Sequence, residues 1–475
     1  MNEKFQHTKI IFTIGPTTSD ESTLKKLIKL NANICRINMA HASHDWVSQI
    51  INTTRKISKK FNKSIAHMID IKGPEVRTGF LDNPIQLKEN SLFDFIVNEK
   101  KIKNRNILIQ SVAINYSNID KDLAVGSIIL VDNGLLHFEL LEKRLGYLRC
   151  RVLISGVLKS YRHINLPGTI VKIPSITNKD EEDIKLGVKL KIEFFALSFV
   201  REANDVVKLR KKLQFYNSKA KIIAKIEDQS AIKNLDSIIT ASDGIMIARG
   251  DLGIECPYEE LPIIQKKAIR KSILFNKPVI VATHMLESMI NFPVPTRAEV
   301  SDVANAVLEQ ADAIMLSGET ATGKYPVQCV QTMNKIALKM ELIGEMQCIP
   351  LNKLKHPKEK IIRSAIVLAK DLKLSNILIF TSSGHLAQIL SSMRPNGIAI
   401  YAFTNNLLLY KQLLLLWGVK PFYLEFYQNS ETTISKAIKL LKEEKYIKSK
   451  DWQVIITNIL TSQDIVDSIQ LRKIE

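Results

Sequence analysis

At 475 residues the chain is longer than one hydrophobic core supports, so two or three domains are expected. Its 45% hydrophobic and 24% charged residues are those of a folded globular protein and exclude disorder as the main state. The formal charge of +19 is mostly lysine spread along the chain; without an arginine–aromatic cluster it argues against nucleic-acid binding as the main role. Cys35, Cys150, Cys256, Cys329 and Cys348 are odd in number and form no Cys-x-x-Cys pair, so a cytoplasmic, reducing location is expected. Residues 1–14 have too short an apolar run for a signal peptide. The leucine-rich stretch 407–417, interrupted by Lys411, falls short of the roughly 20 residues of a membrane span and predicts a buried helix.

In chain order, apolar runs of strand type fall at 9–14, 33–38, 65–71, 192–199, 221–226, 244–248, 278–282 and 313–316. Between them, stretches such as 20–30, 203–213, 259–275 and 297–308 repeat apolar residues at helical spacing. Eight strand–helix units with near-continuous apolar strands predict a closed parallel (β/α)8 TIM barrel, within an α/β fold class. The third and fourth runs are separated by about ninety residues, far more than a βα connection needs. That insert alternates at 91–97, 107–110, 127–131 and 147–153, with turn signals at Asp132-Asn133-Gly134 and Leu166-Pro167-Gly168, and predicts a small β-barrel lid over the site. After a charged linker at 350–360, helical spacing at 361–372 and apolar runs at 377–380, 398–403 and 454–457 predict an open-sheet α/β domain. The expected domains are 1–74 with 168–346, then 75–167, then 350–475.

In such a barrel the chemistry sits at the C-terminal ends of the strands. Polar residues collect there: Gly15-Pro16; Arg36, Asn38 and His41; Asp70 and Lys72; Ser198; Lys225 and Glu227; Arg249 and Asp251; Thr283; Ser317 and Glu319. Lys225, Glu227 and Asp251 end neighbouring strands and form a metal-and-anion site suited to a phosphorylated or enolic substrate, where developing negative charge needs a cation on each side. Alone, either motif reads equally well as a strand-end salt bridge.

The strings Thr13-Ile14-Gly15-Pro16, Arg36-Ile37-Asn38, Lys72-Gly73-Pro74-Glu75-Val76-Arg77-Thr78-Gly79, Lys225-Ile226-Glu227, Ala248-Arg249-Gly250-Asp251-Leu252-Gly253, Pro295-Thr296-Arg297-Ala298-Glu299 and Met315-Leu316-Ser317-Gly318-Glu319-Thr320 resemble the pyruvate kinase family. The resemblance implies phosphoryl transfer from phosphoenolpyruvate to ADP in glycolysis, Mg2+ or Mn2+ and K+ as cofactors, a homotetramer, and no nucleic-acid or membrane partner. It implies Mg2+ on Glu227 and Asp251, and Lys225 on the phosphoryl group and the enolate. Arg36 is implied on the phosphate, and Gly250, Asp251 and Thr283 at the substrate carboxylate. Asn38, His41 and Arg77 match nucleotide contacts, and Asn38, Asp70 and the Ile71 carbonyl match K+ ligands. Thr283, Ser317 and Glu319 lie on the implied proton route.

The chain also departs from that pattern. Ala40 replaces a K+-binding serine, Glu202 stands where a nucleotide-facing lysine is usual, and Leu386 replaces the second hydroxyl of the effector turn Thr381-Ser382-Ser383-Gly384-His385-Leu386-Ala387. Loss or alteration of sugar-phosphate regulation is therefore expected, and a catalytically weakened paralogue serving as an oligomeric scaffold is the alternative. Another enzyme on the same barrel would not require the insert or the 72–79 signature.

Overall fold

A computed structural model describes residues 5–103, 105–169, 171–343, 354, 356–460 and 465–474; Cys348 and residues 350–353 and 355 of the linker fall outside them. Eight parallel strands close into the barrel: Lys9–Thr13, Ile34–Asn38, Ala66–Ile71, Phe194–Leu197, Lys221–Ile226, Gly244–Ala248, Val279–Ala282 and Ala313–Leu316. Their apolar residues are buried on both faces, since helices cover the outside and side chains fill the inside. Sequence signals set the helix starts: Asp20 caps Glu21–Lys29, and capping boxes of Thr177 with Asp180 and Thr296 with Glu299 open Asn178–Lys189 and Arg297–Leu308. Gly15 is required where the first strand exits, because a Cβ there would lie 2.4 Å from the Ala321 carbonyl oxygen.

The lower interior of the barrel is completed by the C-terminal domain. Leu414 and Leu415 pack with Ile11, Ile34, Met68 and Phe194 in one buried cluster. The predicted single helix at 407–417 is instead a helix at Leu407–Gln412 with Leu407 exposed, a 3-10 turn at Leu413–Leu415, and a reversal at Gly418 with φ of 68°. Polar bonds fix this plug around the N-terminal ends of the strands. Asp312 accepts from Arg394 Nη2 at 2.6 Å and from the Trp417 amide at 3.0 Å, and Lys9 Nζ donates to the Val419 carbonyl at 2.7 Å. Glu193 accepts from the His67 amide at 2.7 Å and meets Lys411 Nζ at 3.1 Å.

The insert contributes a six-stranded sheet, in the order Ile164–Asn165, Ile128–Val131, Leu136–Arg144, Tyr147–Ile154, Leu92–Ile96, Ser111–Ala113, and a two-stranded pair, Ile85–Leu87 with Gly156–Leu158. Arg77 bridges to His163 at one edge of the larger sheet and Thr78 to Ile114 at the other, which rolls it into a small barrel. The predicted strand at 107–110 is absent: Ile107 and Leu108 are each 86% exposed in a turn, and the strand follows at Ser111–Ala113. In the C-terminal sheet the order is Val419–Tyr423, Ala399–Thr404, Asn376–Phe380, Trp452–Leu460, Ile465–Lys473, with only the last strand antiparallel. The first and last of these were not evident from the sequence runs.

Burial alone would raise the Glu193 carboxyl, but His67 and Lys411 outweigh it and bring it down to about 2. A depressed carboxyl stabilises the fold fully above its unfolded value near 4.5, and that stability is lost as pH falls from there toward about 2. Glu193→Gln should lower stability at neutral pH by about 3 kcal/mol, because it leaves Lys411 without its counter-ion, and should remove the part of the acid loss between pH 4.5 and 2. Unfolding midpoints measured across that range check both.

Candidate active site

The second, third, fourth and fifth strands are consecutive neighbours in the barrel, so residues at their C-terminal ends form one row. Arg36 lies on the second, Asp70 on the third, Ser198 just beyond the fourth and Lys225 on the fifth. Arg36 holds Asp70 Oδ2 through Nε at 2.7 Å and Nη2 at 2.6 Å, and its Nη1 donates to Thr13 Oγ1 at 3.0 Å. Lys225 Nζ donates to Ser198 Oγ at 2.8 Å and lies 3.3 Å from Asp70 Oδ1 and 2.8 Å from Glu227 Oε1. Ser198 Oγ in turn donates a hydrogen bond to the Ile71 carbonyl at 2.7 Å. Ser198 thus joins the lysine to the backbone of the third strand.

The row keeps a buried ammonium charged. Burial would lower the Lys225 pKa, but Asp70 and Glu227 outweigh it and hold the group above its ordinary value. Burial would likewise raise Asp70, and Lys225 and Arg36 hold it below the usual carboxylate range. Glu227 behaves oppositely: burial, helped by Asp251 and opposed by Lys225, pushes it up to about 7. Its Oε2 accepts from the Phe199 amide at 2.6 Å. Asp251, half-buried in the short helix Arg249–Glu255, makes no ion pair among the described residues. Glu227 and Asp251 are therefore two carboxylates with more negative charge than the protein offsets.

The seventh and eighth strands supply the rest. Thr283 Oγ1 accepts from the Gly250 amide at 2.6 Å and donates to the Ala282 carbonyl at 2.6 Å. Thr283 and His284 have φ of 71° and 54°, left-handed values that cost non-glycine residues about 1–3 kcal/mol each and mark a strained turn at the strand end. Glu319, fully buried, accepts from the Leu286 amide at 3.0 Å and the Ser317 amide at 2.7 Å, while Ser317 Oγ is buried without a partner. Arg249 turns away to Asp302 at 2.6 Å and the Thr283 carbonyl at 2.7 Å, so it braces the site rather than lining it.

The remaining sequence candidates lie at the edge of this group. Asn38 Oδ1 accepts from the Ala40 amide at 3.1 Å, Asn38 is in register with Asp70, and His41 is exposed on the loop beyond. Arg77 Nε meets Glu75 Oε2 at 2.6 Å, and Lys72 Nζ lies 3.2 Å from the same oxygen. Glu202 is exposed at the start of Ala203–Phe215. Two residues given no role by the sequence stand in the group. Ser198 is one. His163, on the insert, is the other: burial lowers its pKa while Asp251 and then Glu75 oppose this, and its ring lies 5.8 Å from that of Phe199. Proximity to Arg77 in the insert's sheet was the only signal for it, and that pairing was invisible before folding.

This geometry has known counterparts. A family profile for the pyruvate kinase barrel domain matches residues 5–330, and one for the pyruvate kinase alpha/beta domain matches residues 359–468. Plastidial pyruvate kinase 3 of Arabidopsis thaliana is 40% identical over 100% of this chain and 83% of its own length. The pyruvate kinase of Geobacillus stearothermophilus is 37% identical over 95% of this chain and 77% of its own. The crystal structure of a pyruvate kinase from Cryptosporidium parvum superposes with a TM-score of 0.90 at 35% identity, covering 98% of this chain and 96% of that one. With the barrel, the insert and the C-terminal sheet all matched across the full length, the chain belongs to the pyruvate kinase family.

Proposed function

We propose that this chain transfers the phosphoryl group of phosphoenolpyruvate to ADP, giving pyruvate and ATP, and that the buried, permanently charged Lys225 carries the reaction. The observation behind this is its position between Asp70, Ser198 and Glu227, which fixes an ammonium where a phosphoryl group leaves and an enolate forms. Arg36, locked by Asp70 and Thr13, presents a second cation to the phosphate. A decayed scaffold would have no reason to retain this compensated charge.

Glu227 and Asp251 fit a divalent cation such as Mg2+ or Mn2+, since both lack sufficient positive charge and Glu227 is raised by burial for that reason. The metal, when bound, offsets charge on the transferred phosphoryl oxygens. Asn38 Oδ1, Asp70 Oδ1 and the Ile71 carbonyl are all hard oxygen donors and fit K+. Thr283 releases the Gly250 amide by turning its hydroxyl, so that Gly250, Asp251 and Thr283 receive the substrate carboxylate at the start of a helix. The unpartnered Ser317 hydroxyl, anchored beside Glu319 and with Thr283 across from it, seats a water that passes a proton to the enolate carbon. Asn38, His41 and Arg77 face the nucleotide. Residues 75–167 act as the lid, and the chain works as a cytoplasmic homotetramer.

Lys225→Met should cut pyruvate formation by about a thousandfold with the far-UV circular dichroism unchanged, as expected for a group that stabilises transition-state charge; undiminished turnover would refute its role. Glu75 is paired with Lys72 and Arg77, the resemblance to the family implies potassium dependence for a glutamate there, and Ala40 removes one oxygen from the implied K+ set. Activity should therefore rise with KCl to a weak half-saturation, and Ala40→Ser should lower that half-saturation several-fold without changing the maximum. Leu386 is buried in the apolar core of the C-terminal domain. Steady-state kinetics should accordingly be hyperbolic in phosphoenolpyruvate and unmoved by sugar phosphates; strong activation by a sugar bisphosphate would overturn this.

A further inference from the structure

Helix Asn178–Lys189 follows the return segment of the insert, and its first turns hold chain from two other places. Lys179 Nζ donates to the Met39 carbonyl at 2.9 Å, and Asp183 Oδ1 meets His44 Nε2 at 2.7 Å. The two residues are spaced i, i+4 and share one face of the helix. They therefore grip both ends of segment 39–44, the loop that carries Ala40 and His41 just beyond Asn38. Between them Asp180, fully buried, accepts from the Gly73 amide at 3.1 Å through Oδ1 and from the Thr177 amide at 2.7 Å through Oδ2, so the outgoing and returning ends of the insert meet on the same turn. Asp183 is costly for such a place. Its side chain is fully buried, its Oδ2 has no partner among the described residues, and burial raises its carboxyl against the pull of His44 and Lys179. A buried carboxylate held this way adds little stability; what it gives is a fixed position for His44.

We propose that Lys179 and Asp183 are positioning residues for the nucleotide: they seat the loop bearing His41 on the helix from which the insert hangs, and so fix the spacing between His41 on the loop and Arg77 on the insert. This rests on the kinase reading above, in which both groups face ADP. The groups assigned to phosphoenolpyruvate are held elsewhere, Lys225 by Asp70, Ser198 and Glu227, Arg36 by Asp70 and Thr13, and Thr283 by Gly250 and Ala282. Freeing the loop therefore burdens one substrate and spares the other, because a loosened loop must be ordered each time the nucleotide binds.

Steady-state kinetics of the full chain with Mg2+ and K+ present, varying ADP and phosphoenolpyruvate in turn, test the proposal in Lys179→Met and His44→Phe, both at positions exposed enough for the fold to survive the change. Each should raise KM for ADP about fivefold or more, with KM for phosphoenolpyruvate and kcat within about twofold of the wild type. Lys179→Arg, which keeps a donor for the Met39 carbonyl, should recover most of the lost ADP affinity, and thermal unfolding should report an intact fold throughout. An active wild type whose KM for ADP is unchanged in both variants, or is not recovered by the arginine, overturns the positioning role alone. So does an equal rise in both KM values or a lost unfolding transition, the marks of general loosening. An inactive wild type overturns the kinase reading, and this role with it.

Discussion

An ammonium ion buried at the mouth of an apolar barrel is the constraint from which the rest follows. Lys225 stays charged only because Asp70, Glu227 and Ser198 lie within about 3 Å of it, and each arrives on a different strand or strand end. That geometry requires the third, fourth and fifth strands to hold their register. A shift of one residue would turn Asp70 from the interior to the helices and leave the lysine uncompensated. Precision at the top of the barrel is therefore a property of the whole closed sheet.

The uneven charge of the site has the same origin. The protein offsets Lys225 and Arg36 fully, yet leaves Glu227 and Asp251 short of cations. A site that is internally balanced at one end and unbalanced at the other attracts a cation and an anion together, as a metal–phosphate complex supplies. The insert brings His163 next to this unbalanced side, where Asp251 and Glu75 oppose the lowering of its pKa by burial.

How legible this was in the sequence depended on whether a residue's neighbours were near in the chain. Barrel strands announced themselves through unbroken apolar runs, and Arg297–Leu308 was bounded correctly because its capping box and helical periodicity are both local. Lys225, Glu227 and Asp251 were evident because strand ends in a parallel barrel converge wherever the strands lie. Ser198 was evident as a strand-end residue but not in its role, and His163 was not evident at all, since their partners come from other strands and from the insert's rolled sheet. The hairpin strand Leu136–Arg144 was hidden by charged residues on its solvent side, and 107–110 was misread because apolar residues in an exposed turn carry no sign of their exposure. The segment 407–417 failed as one helix for a tertiary reason: its leucines serve the floor of another domain.

That floor gives the C-terminal domain a part in the barrel's architecture. Leu414 and Leu415 belong to the same packed layer as residues of the first, second, third, fourth, fifth, sixth, seventh and eighth strands. Removed from its partner, the barrel would present an open apolar ring to water, bordered by Lys9, Glu193 and Asp312 without Val419, Lys411 and Arg394. The floor of the barrel is thus built from both domains, and the boundary between them is a layer of shared core rather than a surface.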